Sequence, residues 1–310
     1  MSAPGEGRRP ARYRISICRR GHRAGQRHLT QQYEGDRPRT GDAAPSTEVL
    51  AAFGARDAAV ALPGGSAKAY AASGLVFKRG QEEDFTAWLA EVSHVLERET
   101  AFRFARPARS ISGSWTVEGW SASTQLAGRH EPGRWTDILS VGRALHRAVA
   151  RMPCPPFQAA RTDQWALGDR AAWGECEVAV PALLQEQVSA TAALRRPIKL
   201  PSQLVHGDLC GNVLFAPALP PAVLDFSPFF RPAEYAEAIL VADAIVWEGA
   251  PADLVGALRR HTAGQMLVRA SLFRLYTAAA AWPGQPQRLT TIAEHHKPFT
   301  RLLQTVVDSH

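Results

Sequence analysis

The sequence predicts an α+β chain in which a small, mostly antiparallel-β lobe precedes a larger, mostly helical lobe. Three observations lead there. Residues 58–80 and 102–127 carry strand formers broken by glycine turns, and one helical pattern over 82–97 separates them. From about residue 135 the apolar positions fall at three- or four-residue steps, with a single short hairpin embedded between Val205 and Phe226. With 310 residues, 45% apolar and 21% charged, the chain is long enough for two lobes around a sizeable core.

The elements follow in order. "STEVLAAFG" (46–54) is a short helix, capped by Ser46 or Thr47 and closed by Gly54. Residues 58–80 read as strand, the turn Gly64-Gly65-Ser66, strand, the turn Ser73-Gly74, and a third strand from Leu75 to Lys78. Phe85, Leu89, Val92 and Leu96 then switch the period from two to 3.6. Strands return over 102–127, divided at Ser112-Gly113, and helices are expected at 135–150, 180–195, 233–248, 251–260, 263–280 and 287–306. The embedded hairpin is "NVLFA" and "AVLDF", joined by the turn "PALPP". The expected division is an arm at 1–45, a first lobe at 46–127 and a second lobe at 128–310.

The net charge of +7 is local. Residues 1–40 hold ten arginines against Glu6, Glu34 and Asp36, so the remainder carries 26 basic and 26 acidic residues. Such an opening has no apolar core of its own and reads as a disordered, solvated arm, or as residues ahead of the true start. No aromatic-interleaved basic patch continues into the body, so nucleic acid is not expected as a partner. The four cysteines are scattered without metal-ligand spacing, which fits a reducing cytoplasm. No stretch approaches ~18 uninterrupted apolar residues, and no membrane span is expected.

The chemistry concentrates at "HGDLCGNVLF" (206–215). Asp, Gly and Asn suit an ordinary turn, but Asp208 and Asn212 open the hairpin and Asp225 closes it. Antiparallel strands bring their outer ends together, so two carboxylates and an amide oxygen converge on one rim. That set suits a hard cation such as Mg²⁺, which takes few protein oxygens and completes its shell with phosphates. The first lobe offers a complement. Gly64, Gly65 and Ser66 in "LPGGSAKAY" permit backbone N–H groups to approach phosphates, as an ordinary hairpin turn also would. Lys78 ends an apolar strand, and Glu91 on the next helix is positioned to pair with it. His206 is expected to brace the loop rather than to act as a base or ligand.

On "HGDLCGNVLF" with "VLDFS", supported in order by "GGSAKAY", "LVFK" and "WLAEV", the chain resembles the aminoglycoside phosphotransferase family over residues 46–310. The resemblance implies a protein-kinase-like two-lobe fold, ATP and Mg²⁺ as cofactors, and a hydroxyl group of a small molecule as acceptor. It implies Asp208 as catalytic base or orienter, Asn212 and Asp225 as Mg²⁺ ligands, Lys78 on the ATP phosphates and Glu91 holding Lys78. The adenine would lie against the connector around Ser121 to Ala127. Two departures stand out: three residues rather than the family's four separate Asp208 from Asn212, and Ser227 stands where protein kinases have glycine. Pro232 follows Asp225 by seven residues, leaving no room for a long activation segment.

Polycationic acceptors need an acidic pocket. Residues 232–310, where the family places much of its acceptor site, hold seven acids and seven bases, so a neutral or weakly charged acceptor is expected. Two other classes stay open: a nucleotide-binding pseudoenzyme acting through partners, and a nucleic-acid-associated protein working through the arm.

Overall fold

The computed structural model describes residues 44–62 and 69–308. The Gly64-Gly65-Ser66 turn, and the arm up to residue 43, lie outside the described residues.

Ser46 caps helix α1 (Thr47–Ala52), its hydroxyl accepting from the Val49 amide at 3.2 Å. Strands β1 (Val60–Ala61), β2 (Tyr70–Ala72) and β3 (Leu75–Arg79) follow. Ser73 and Gly74, at φ +51° and +77°, make the left-handed two-residue turn whose twist matches the strands it joins. Helix α2 (Glu83–Val95) comes next, then β4 (Arg103–Phe104), β5 (Pro107–Ala108), β6 (Thr116–Val117) and β7 (Trp120–Thr124). The first sheet is antiparallel, in the order β1-β2-β3-β7-β5, with β6 also on β7. A second left-handed turn, Glu118-Gly119, turns β6 back onto β7. Phe77, Trp120, Tyr70, Phe53 and Val49 form this lobe's own core, with Phe53–Phe77 and Tyr70–Trp120 ring pairs meeting edge to face.

The second lobe contains α3 (Trp135–Val149), α4 (Gln164–Trp173), α5 (Ala182–Ala193), strands β8 (Gln203–His206), β9 (Val213–Ala216), β10 (Leu219–Val223) and β11 (Pro228–Arg231), and helices α6 (Ala233–Trp247), α7 (Arg260–Ala281) and α8 (Pro286–Asp308). Both α6 and α7 are buried on nearly every face; α6 is apolar almost all round, whereas α7 buries Arg269, Ser271, Arg274 and Thr277 among its apolar residues.

Four features differ from the sequence expectations. Helix α4 is capped by Asp163, which accepts from the Trp165 and Ala166 amides, and closed by Gly174 at φ +78°. Its ten residues are interrupted by Asp169 and Arg170, so no clear apolar stripe marks it. Residues 252–257 form a short 3₁₀ helix instead of an α-helix; it is entered from Pro251 and contains Gly256. The hairpin turn is tighter than "PALPP": β10 begins at Leu219 and runs through both prolines, which lack N–H donors and sit at the register irregularity between Leu219 and Ala222. Finally, β4 leaves the first lobe's sheet and pairs in parallel with β10, so a strand from before the connector is built into the hairpin of the second lobe.

Candidate active site

Strand β8 delivers His206 into a turn that is tight at both ends. A Cβ on Gly207 would come 2.4 Å from the Phe229 ring, so the backbone passes there only as glycine. Gly211 takes φ +79°, which closes the turn into β9. The short spacer therefore still joins its two ends: the Asn212 side-chain amide donates to the Asp208 carbonyl at 2.6 Å and to its Oδ2 at 3.2 Å. Asp208 is 4% exposed, and its Oδ1 accepts from Arg274 Nη2 at 2.9 Å.

His206 braces this loop. Its Nδ1 accepts from the Asp208 amide at 3.1 Å, so its Nε2 carries the proton that reaches the Leu224 carbonyl at 3.2 Å. Burial holds its pKa down to about 4, so the ring stays neutral. Behind it His146, also buried and pushed down to about 3, accepts the His206 amide at 3.1 Å and ties the loop to α3.

The hairpin register brings Asp225 to the same end as Asn212: Val213 pairs with Val223, and the Leu224 amide donates to the Asn212 carbonyl at 2.8 Å. Asp225 sits at φ +45°, a conformation that Asp tolerates better than most residues. Its Oδ1 is ion-paired to Lys78 Nζ, which reaches across from β3 in the other lobe.

Glu91 is a correction. It lies on the exposed face of α2 and is not brought to Lys78, whose partner is Asp225. Phe85, Trp88 and Val92 turn the helix's apolar stripe toward the second lobe, where Trp88 packs on Phe157 and Phe226. Successive helical residues are rotated by about 100°, so the residue before Val92 points well away from that stripe. The connector is corrected as well. Ser121 to Thr124 are still strand, paired to β3, and the chain leaves the sheet only at Gln125 before Arg129 bridges to Phe215.

Asn212 and Asp225 fit a hard cation: one carboxylate and one amide whose nitrogen is committed to Asp208, leaving the amide oxygen as a ligand atom. Among the described residues no group of three or more His, Cys, Asp or Glu side chains is arranged around a metal, so such an ion would need oxygens from a substrate.

Two functional-site neighbours were missed from the sequence. Asp243 accepts from Arg274 through both its oxygens, Oδ1 from Nε at 2.8 Å, and both side chains are buried. Burial pushes the Asp243 carboxyl up, while the two aspartates drive the Arg274 guanidinium's pKa upward. The available signal was charge inside apolar stretches: one acid in "AILVADAIVW" and two bases, Arg269 and Arg274, in "LVRASLFRLY".

Two lobes, a loop and hairpin that gather Asp208, Asn212 and Asp225, and a lysine that reaches them from the other lobe make a protein-kinase-like fold. Residues 86–230 match the family model described as the phosphotransferase enzyme family, and the resemblance to the aminoglycoside phosphotransferases holds at that level. Among solved structures, an aminoglycoside phosphotransferase from Alicyclobacillus acidocaldarius aligns with TM-score 0.58 and 15% identity over 89% of this chain and 99% of its own. A microcompartment-associated aminopropanol kinase aligns with TM-score 0.55 and 13% identity over 84% and 96%. A choline/ethanolamine kinase family protein from Mesorhizobium loti gives TM-score 0.51 and 14% identity over 83% and 94%. None of the curated proteins matches. Among the described residues no helix is long and apolar enough to cross a membrane.

Proposed function

We propose that the chain transfers the γ-phosphoryl group of ATP, in the presence of Mg²⁺, to a hydroxyl of a small, neutral or weakly charged molecule. The observation that carries this reading is the ion pair between Lys78 and Asp225, which joins a cation of one lobe to the rim of the other where Asn212 and Asp208 lie. In this reading residues 46–127 bind the nucleotide, residues 128–310 carry the catalytic loop and the acceptor site, and the protein works in the cytoplasm. Gly64, Gly65 and Ser66 would cover the phosphates.

Lys78 holds the phosphates by charge, exchanging its bond to Asp225 for one to a phosphate oxygen. Mg²⁺, when bound, would be held by Asn212 and Asp225 and would offset phosphate charge. Asp208 accepts a hydrogen bond from the acceptor hydroxyl and orients its oxygen toward the γ-phosphorus. The new bond forms between that oxygen and phosphorus, the bond from phosphorus to the β,γ-bridging oxygen breaks, ADP leaves, and the hydroxyl proton passes to the Asp208 carboxylate.

The pairing of the C-terminal acids supports the acceptor class. Four of the seven acids have a partner: Glu237 pairs with Arg143, Asp243 with Arg274 and Glu234 with Arg259, while Glu248 accepts from Trp135 Nε1. Carboxylates already matched by the chain's own donors do not offer a polycation the surplus it needs to leave water. Incubation with Mg-ATP and a panel of sugars, alcohols and aminoglycosides should release ADP with a neutral polyhydroxyl compound and far less with aminoglycosides. Efficient, saturable phosphorylation of a kanamycin-like compound would overturn the acceptor class. Tight nucleotide binding with no turnover on any compound would instead favour a pseudoenzyme.

A further inference from the structure

Resting on the phosphotransferase reading, we infer that Arg274, held by Asp243, is the positioning residue for Asp208: it fixes the carboxylate's orientation against the acceptor hydroxyl. Within its loop Asp208 is met by His206 Nδ1, which accepts its amide at 3.1 Å, and by the Asn212 amide, which donates to its Oδ2 at 3.2 Å. Its Oδ1 is anchored from elsewhere. Arg274 is 6% exposed in α7, and its Nε and Nη2 grip the two oxygens of Asp243 on α6, which fixes the guanidinium plane. The same Nη2 has a second hydrogen, and it goes to Asp208 Oδ1 at 2.9 Å. The carboxylate is thereby hung from two packed helices rather than from the loop alone. Supports of this kind keep a reacting group within the narrow geometry that transfer demands.

A purely structural ion pair would stabilise the fold without touching the rate, and the test separates the two. Removing Arg274 alone strands two buried aspartates, so the main variant is Arg274→Met with Asp243→Leu, which removes the Arg274–Asp243 pair together, and the same pair of changes is made in Asp208→Asn, where the third buried charge is gone as well. ADP release is measured with an acceptor from the panel or with water as acceptor. The expected result is a kcat lower by ~10- to 100-fold, an ATP KM within about twofold of the parent, partial recovery in Arg274→Lys, and no further loss when the double change is added to Asp208→Asn. A folded variant with parental kcat, a loss confined to the ATP KM, or a loss that adds fully to that of Asp208→Asn would overturn the inference. A parent protein that binds no Mg-ATP and turns nothing over would overturn the phosphotransferase reading itself, and this inference with it.

Discussion

The two sides of the candidate site are built differently. On the second-lobe side, Asp208 is almost fully buried and held by Arg274, Asn212 and the His206 ring, each of which is itself fixed by a neighbour. On the side shared between the lobes, Lys78 and Asp225 are partly exposed and meet through one ion pair. An exposed pair of that kind is worth little by itself and exchanges partners readily. In the proposed reading, the groups that would face the acceptor are preorganised, whereas those that would face the nucleotide keep a bond that a phosphate can replace.

The largest expected effect breaks the exposed side. Asp225→Ala removes the carboxylate that would offset phosphate charge, and should abolish Mg²⁺-dependent nucleotide binding and turnover in calorimetry and rate assays. Asp208→Asn should break the buried side alone, slowing transfer by ~10²-fold or more while nucleotide affinity stays near that of the parent. A collapse of nucleotide affinity in Asp208→Asn would erase the distinction between the two sides.

Gly207→Ala probes the rigidity of the buried side. Its methyl would meet the Phe229 ring, and the overpacking should lower stability by ~1–3 kcal/mol in thermal or denaturant unfolding. Acid should act there too. His206 is held down to about 4, and His146 to about 3, against an ordinary 6.5. The unfolded chain takes up protons at these positions as pH falls through about 6.5, while the folded chain takes them up only near 4 and 3. Stability is therefore full above that range and declines as pH drops through it, by up to about 1.4 kcal/mol per pH unit for each histidine. Unfolding free energies that stay flat between pH 7 and 4.5 would contradict this assignment. Glu91→Ala, at the small end, should leave ATP KM and kcat within about twofold, because this exposed residue does not hold Lys78.

Much of this architecture was legible in local pattern. The Ser46 cap, the Ser73-Gly74 turn, the helical stripe of Phe85, Val92 and Leu96, and the meeting of Asn212 with Asp225 all follow from short-range rules. What was not legible depends on long-range packing. Glu91 has the right spacing on its helix, but the rotation of that helix is set by Trp88 reaching Phe226, 138 positions further along in the chain. Strand β4 reads as part of the first lobe because its pairing with β10 has no local signature. The Asp208–Arg274–Asp243 cluster joins three elements, and sequence shows only that buried charges in α6 and α7 need partners, not which ones.

In the proposed reading one site, with Asp208 at its buried side and Lys78–Asp225 at its exposed side, moves phosphate from ATP to a hydroxyl. Phosphorus-31 NMR of the protein with Mg-ATP and the neutral acceptor panel tests it most directly. The expected result is a new phosphomonoester resonance that grows with that of ADP and nearly disappears in Asp208→Asn with bound nucleotide retained. A monoester signal that persists unchanged in Asp208→Asn, or ATP that remains intact with every acceptor, would contradict it.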